Sequence, residues 1–95
     1  MMDANSVLAM PEELSIANVT EWQQKLGNYL NSVDSVVLDG AQLSRVDTAA
    51  LQLLTAFCLK AQNLQKSVEW KNPSDSLVKT ACQLGLEKTL SLKND

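Results

Sequence analysis

The sequence predicts a small α/β domain, a mixed and mostly parallel β-sheet of about four strands with helices packed against it. Three observations carry this. Elements read in the order β, β, α, β, α, β, α, with connections of only a few residues, the pattern of parallel strands joined by right-handed crossovers. The run "VVLD" at 36–39 is β-branched and almost wholly apolar, as in a strand covered on both faces in the middle of a sheet. From Ala50 to Leu64, apolar residues recur at helical spacing over several turns. With 95 residues, 45% of them hydrophobic, the chain suits a single domain over 1–95 with one modest core.

The elements follow in order. "SVLAM" reads as a short strand, Pro11, Glu12 and Glu13 as a solvated turn, and "ELSI" as a second extended run. A first helix is expected over 18–31. Asn18 and Glu21 have capping-box spacing there, and Val19, Trp22, Leu26, Tyr29 and Leu30 form its apolar stripe. "NSVDS" punctuates the chain before "VVLD", and Gly40 to Ser44 form a loop. In the second helix Ala50, Leu51, Leu54, Phe57, Cys58, Ala61 and Leu64 face inward, while Gln52, Lys60, Gln62 and Asn63 face out. "SVEW" alternates as a strand does, and Pro73 and Ser74 in "NPSD" suit a helix start. Leu77, Val78, Ala81 and Leu84 mark the third helix, Gly85 sits at its C-terminal cap, and "LEKTLSL" adds a last anchored turn. There is no internal repeat, linker or low-complexity segment.

Several function classes fall away. The net charge is -3 and the eight Lys and Arg are scattered singly, which provides no footprint for a nucleic-acid backbone. No stretch approaches the roughly 18 apolar residues of a membrane span, and the start "MMDANSVLAMPEEL" has neither a basic nor an apolar signal region. A cytoplasmic protein with no direct membrane insertion is expected. Cys58 and Cys82 fall on predicted helix stripes at a separation that fits neither a CxxC motif nor a zinc knuckle, so both are expected as buried, reduced thiols. Trp22, Tyr29 and Trp70 are placed for packing rather than ligand stacking. The chain has no histidine, glycine-rich phosphate loop or metal-ligand cluster, so no cofactor is expected and any phosphoryl transfer requires an external kinase.

The stretch "SRVDTAAL", from Ser44 to Leu51, joins the central strand to the second helix. A hydroxyl at a helix start is most often a local structural group, and either Ser44 or Asp47 has the position of the cap. The wider pattern points further. "VLAMPEELSIANVTEWQQKL", "VVLDGAQLSRVDTAALQLL", "VEWKNPSDSLVKTACQLGL" and "EKTLSL" together resemble the STAS family, the sulphate transporter and anti-sigma factor antagonist domain, over nearly the whole chain. The family loop carries Asp, Ser or Thr, a small residue, Gly, and Leu or Ile. Here those positions are Asp47, Thr48, Ala49, Ala50 and Leu51, with Ala50 the departure.

The resemblance implies a non-enzymatic binding module with Thr48 as phosphoacceptor for a partner serine/threonine kinase. It also implies a partner surface of Ser44, Arg45, Val46, Asp47, Thr48, Ala49 and Gln52, with Asp39 supporting the loop. A receiver-like fold would instead make Asp39 the acceptor, but needs more βα units than the chain holds. Two kinds of partner are implied: an anti-sigma factor or serine kinase-like protein with a phosphatase, or the ATPase subunit of a lipid-transporting ABC complex. In the second case, as in a chemotaxis-associated assembly, the domain is a constitutive subunit.

Overall fold

The computed structural model describes residues 7–92. Its elements are β1 (Val7–Ala9), β2 (Glu13–Leu14), α1 (Val19–Ser32), β3 (Val36–Asp39), β4 (Arg45–Val46), α2 (Thr48–Asn63), β5 (Val68–Lys71) and α3 (Asp75–Gln83). Ser6, the first residue of the run "SVLAM", lies outside the described residues. The strands form two parallel sheets, one ordered β1-β3-β5 and one pairing β2 with β4. The expected α/β class and mostly parallel pairing are therefore present.

The apolar run at 36–39 is the central strand, as its composition predicts. Val36, Val37 and Leu38 are all buried, and in register Leu38 lies between Leu8 and Trp70. Tyr29 of α1 fixes this strand from the helix side: its hydroxyl donates to the Val37 carbonyl and accepts the Val37 amide, both at 2.9 Å. Burial pushes the Tyr29 phenol up from its ordinary value, against the opposing effect of the Val37 bond.

Pro11 is where the chain changes sheet. Met10, almost fully buried, donates its amide to Asp39 beside β1, and Glu12 then offers its carbonyl to the amides of both Ser44 and Arg45 at 2.8 and 3.1 Å. Those two bonds lead into β4, where Arg45 and Val46 pair with Glu13 and Leu14; the sequence leaves this strand inside a loop and helix approach. Two residues are too few to show period-two alternation. Ser15 and Ile16, expected as the end of the second strand, instead leave it as a loop.

Helices α2 and α3 end by a shared device. At α2, the Gln65 amide reaches Gln62 and the Lys66 amide reaches Ala61; at α3, the Gly85 amide reaches Cys82 and the Leu86 amide reaches Ala81. Both are Schellman closures, with Gln65 and Gly85 at φ of 61° and 70°. Ser74 caps α3 by accepting the Leu77 amide, as expected. The Asn18–Glu21 capping box does not form. Asn18 turns backward, accepting the Ser15 amide and donating to the Glu13 carbonyl, so its side chain closes the preceding loop instead of the helix.

One cysteine differs from expectation. Cys58 is fully buried and its thiol is pushed up to about 12 by burial, whereas Cys82 is exposed. The buried stripe of α3 is Leu77 and Ala81, and Cys82 lies one residue, about 100°, round the helix from it. Leu84, also expected inward, is the C-cap and is half exposed. Thiol titration of the native protein near pH 8 should therefore register Cys82 rapidly and Cys58 only on denaturation. Rapid reaction of Cys58 in the native protein would contradict this packing.

Candidate functional site

Asp47 stands between β4 and α2 with an extended backbone, and one of its carboxylate oxygens accepts the Ala50 amide at 2.9 Å. Asp47 is thus the cap of α2. Ser44 is not, since both its amide and its hydroxyl donate to the Glu12 carbonyl. The other Asp47 oxygen accepts the Ile16 amide, also at 2.9 Å, from a segment 31 residues away. One carboxylate therefore closes the helix start and ties the β2–α1 loop to it. The Ile16 bond first, and the Ala50 bond second, hold the Asp47 carboxyl below its ordinary value of 3.8, because both donors favour the ionised form.

The tied loop is internally braced. Ser15 is buried; its hydroxyl donates to a Glu13 carboxylate oxygen at 2.7 Å and accepts the Ala17 amide at 3.2 Å. The braces leave Ile16 itself 72% exposed beside the start of α2. A single exposed isoleucine is unremarkable by itself. This one has its own amide bound to the helix cap, so its position is fixed relative to Thr48. Sequence reasoning missed it by treating Ile16 as strand; the available signal was that it falls off the α1 stripe of Trp22, Leu26, Tyr29 and Leu30.

The other anticipated residues divide into groups. Thr48 is the first residue of α2 and exposed, and its hydroxyl makes no hydrogen bond among the described residues. Ala49 is half-buried and Gln52 exposed on the same first turns. Arg45 is exposed on β4, opposite Glu13 in register, and enters no ion pair among the described residues. Val46 packs against the core edge. Asp39 stands apart: its carboxylate accepts the Ala41 amide at 3.0 Å and holds the turn after β3, without a hydrogen bond to residues 44–52. Ala50, where the family pattern has glycine, is fully buried, so its methyl group enters the core and leaves the outer surface unchanged.

Chemically the arrangement offers a free hydroxyl at a helix N-terminus, a held carboxylate and a fixed apolar side chain. Among the described residues there is no His, Cys, Asp and Glu cluster able to hold a metal ion, and no helix long and apolar enough to cross a membrane. A comparison with curated proteins finds no match. The family model described as "Mlab, STAS domain" matches residues 1–92. STAS domains are in general non-enzymatic modules that bind other proteins. With that match over nearly its whole length and with the parallel β-sheets and helix-start loop described above, the chain belongs to the STAS domain family.

Proposed function

We propose that the protein is a binding module whose partner surface is the start of α2 together with the Ile16 loop, and that phosphorylation of Thr48 by a partner serine/threonine kinase ends the complex. The observation that supports this reading most is the exposed, unengaged Thr48 hydroxyl directly after a cap that is tied to a second loop. A phosphoryl group adds about -1.5 to -2 charge near neutral pH. The helix N-terminus tolerates that charge. Asp47, however, already occupies the Ala50 and Ile16 amides as an anion, so the new charge projects from the surface. A partner fitted to a neutral hydroxyl and an isoleucine then meets repulsion and a desolvation cost. In this reading the partner is an anti-sigma factor or serine kinase-like protein, with a phosphatase that restores the hydroxyl, and the module acts in the cytoplasm.

The test is co-purification from native cells with quantitative mass spectrometry. Wild type and Thr48→Ala should retain the partner, Thr48→Glu should lose it at least tenfold, and the cognate kinase with ATP should modify Thr48. An active kinase that leaves Thr48 untouched, or a Thr48→Glu protein that binds as wild type does, counts against the switch. A second reading, a constitutive STAS subunit bound to a transporter ATPase, is favoured by a family description that names Mlab rather than an anti-sigma factor antagonist. It predicts stable co-purification with an ATPase irrespective of phosphorylation.

A further inference from the structure

Away from the start of α2, helices α1 and α2 leave an apolar notch of about 150 Å³ between them. Leu26, Leu53 and Phe57 provide its walls, and Gly27 and Ala56, two small residues on facing helices, leave its mouth open. A Cβ added at Gly27 would meet nothing within 4 Å, so the opening is free space rather than a packed contact. Lys60 stands on the rim, exposed and without an ion pair among the described residues.

The surroundings are as informative as the notch. The outer face of α1 beside Gly27 carries Thr20, Gln23, Gln24, Asn28 and Asn31, all uncharged. The two charges of that helix, Glu21 and Lys25, pair with each other at 3.2 Å, with Lys25 lying over the Trp22 ring at 4.7 Å. An apolar centre, an uncharged polar margin and a single cation at the rim is the anatomy of a protein-binding surface, in which charge is depleted from the middle.

Size selects the occupant. Small-molecule sites run from about 300 to 1,000 Å³, whereas an apolar cavity of about 150 Å³ admits a benzene-sized group. The notch therefore has room for one side chain. The groove between two helices suits a third helix laid against it, and the lone lysine selects a carboxylate. We infer that the α1–α2 notch receives one large apolar side chain from a helix of the partner protein, with a carboxylate one turn away on that helix meeting Lys60. The inference rests on the reading of the chain as a binding module and adds a second contact region to it.

Gly27→Leu, which fills the notch, and Lys60→Glu, which reverses its rim charge, test this in the co-purification experiment beside Thr48→Glu. Each should lower partner recovery at least tenfold without lowering the melting temperature, which Gly27→Leu should raise because it removes a glycine from a helix interior. A photo-crosslinking side chain at Gln23 should attach to a partner helix with an apolar residue and an acidic residue three or four positions apart. Partner recovery within twofold of wild type for both Gly27→Leu and Lys60→Glu, with Thr48→Glu still defective, would overturn the inference and leave the proposed function standing. Absence of any partner for the wild-type chain would overturn both. A wild-type dimer in sedimentation that becomes monomeric on Gly27→Leu would make the occupant a second copy and so overturn the assignment to a different protein.

Discussion

Asp47→Ala is expected to destabilise the domain by about 1–3 kcal/mol. Loss of a helix cap alone costs about 0.5–2 kcal/mol, and the same carboxylate also holds the Ile16 amide. Both bonds lie near the surface, where water partly replaces them, which keeps the sum at the low end of a charged hydrogen bond added to a cap. For a domain of this size each kcal/mol shifts the melting temperature by about 4–8 °C, so thermal and urea unfolding will resolve the effect. Asp47→Asn separates the two roles. Asparagine caps helices as well as aspartate does, but it has one acceptor oxygen, so the Ala50 bond survives while the Ile16 tie is lost. The aspartate form also carries a pH signature. Folding lowers the Asp47 pKa, so its stabilisation is complete above the ordinary value of 3.8 and fades as pH falls through the lower folded value. The stability gap between wild type and Asp47→Ala should therefore narrow in acid. A gap of the same size at pH 7 and pH 2, or no gap at pH 7, would mean that the carboxylate does not hold the two segments together.

The double role of Asp47 also marks the boundary of what the sequence reveals. The capping of α2 is local, with donor and acceptor three residues apart, and competes with Ser44 only because both have plausible spacing. The tie to Ile16 spans 31 residues, so no local pattern announces it. The same distinction separates the strands. The four-residue β3 was legible because an unbroken apolar run needs no partner to be recognised. The two-residue β4 exists only through its pairing with β2, Glu13 opposite Arg45 and Leu14 opposite Val46, partners 32 residues apart that no local pattern announces. Helix stripes were legible in the middle and less so at the ends: Leu77 and Ala81 are buried as expected, but Cys82 and Leu84 are not, since the last turn of α3 passes the edge of the core. At the site, Thr48 and Gln52 are exposed on the outer side of α2, while Asp39 serves only its own turn. Ile16 needed the tertiary tie to become part of that surface.

Trp70→Ala is expected to have the largest effect on stability, about 3–5 kcal/mol by the usual cost of emptying a buried aromatic site. That is a large fraction of the roughly 5–15 kcal/mol that holds a domain folded. Trp70 joins three parts of the molecule. It stands in β5 opposite Leu38 of the central strand, and its indole N–H donates to the Leu90 carbonyl at 2.8 Å, anchoring the turn that follows α3. Its ring also lies against Gly40, where an added Cβ would come within 3.3 Å of both the ring and the Pro73 backbone. A side chain at 40 would thus be tight against the indole and the Pro73 backbone, and the loop that leads from β3 to β4 and α2 starts against this indole. Trp70→Phe keeps most of the ring and removes the donor, leaving the Leu90 carbonyl, among the described residues, with only the weak Cys58 thiol contact at 3.9 Å. It should cost about 1–3 kcal/mol, the usual penalty for stranding a buried polar group. Removing the whole ring should additionally release the Leu90 turn, and the buried Cys58 should then react with thiol reagents in the native state. Because the emptied space adjoins Gly40, Trp70→Ala should also loosen residues 40–44 and weaken partner binding at α2 without any change to Thr48. Equal costs for Trp70→Phe and Trp70→Ala, or a Cys58 that stays unreactive in both, would show that the tail is anchored by something other than this indole.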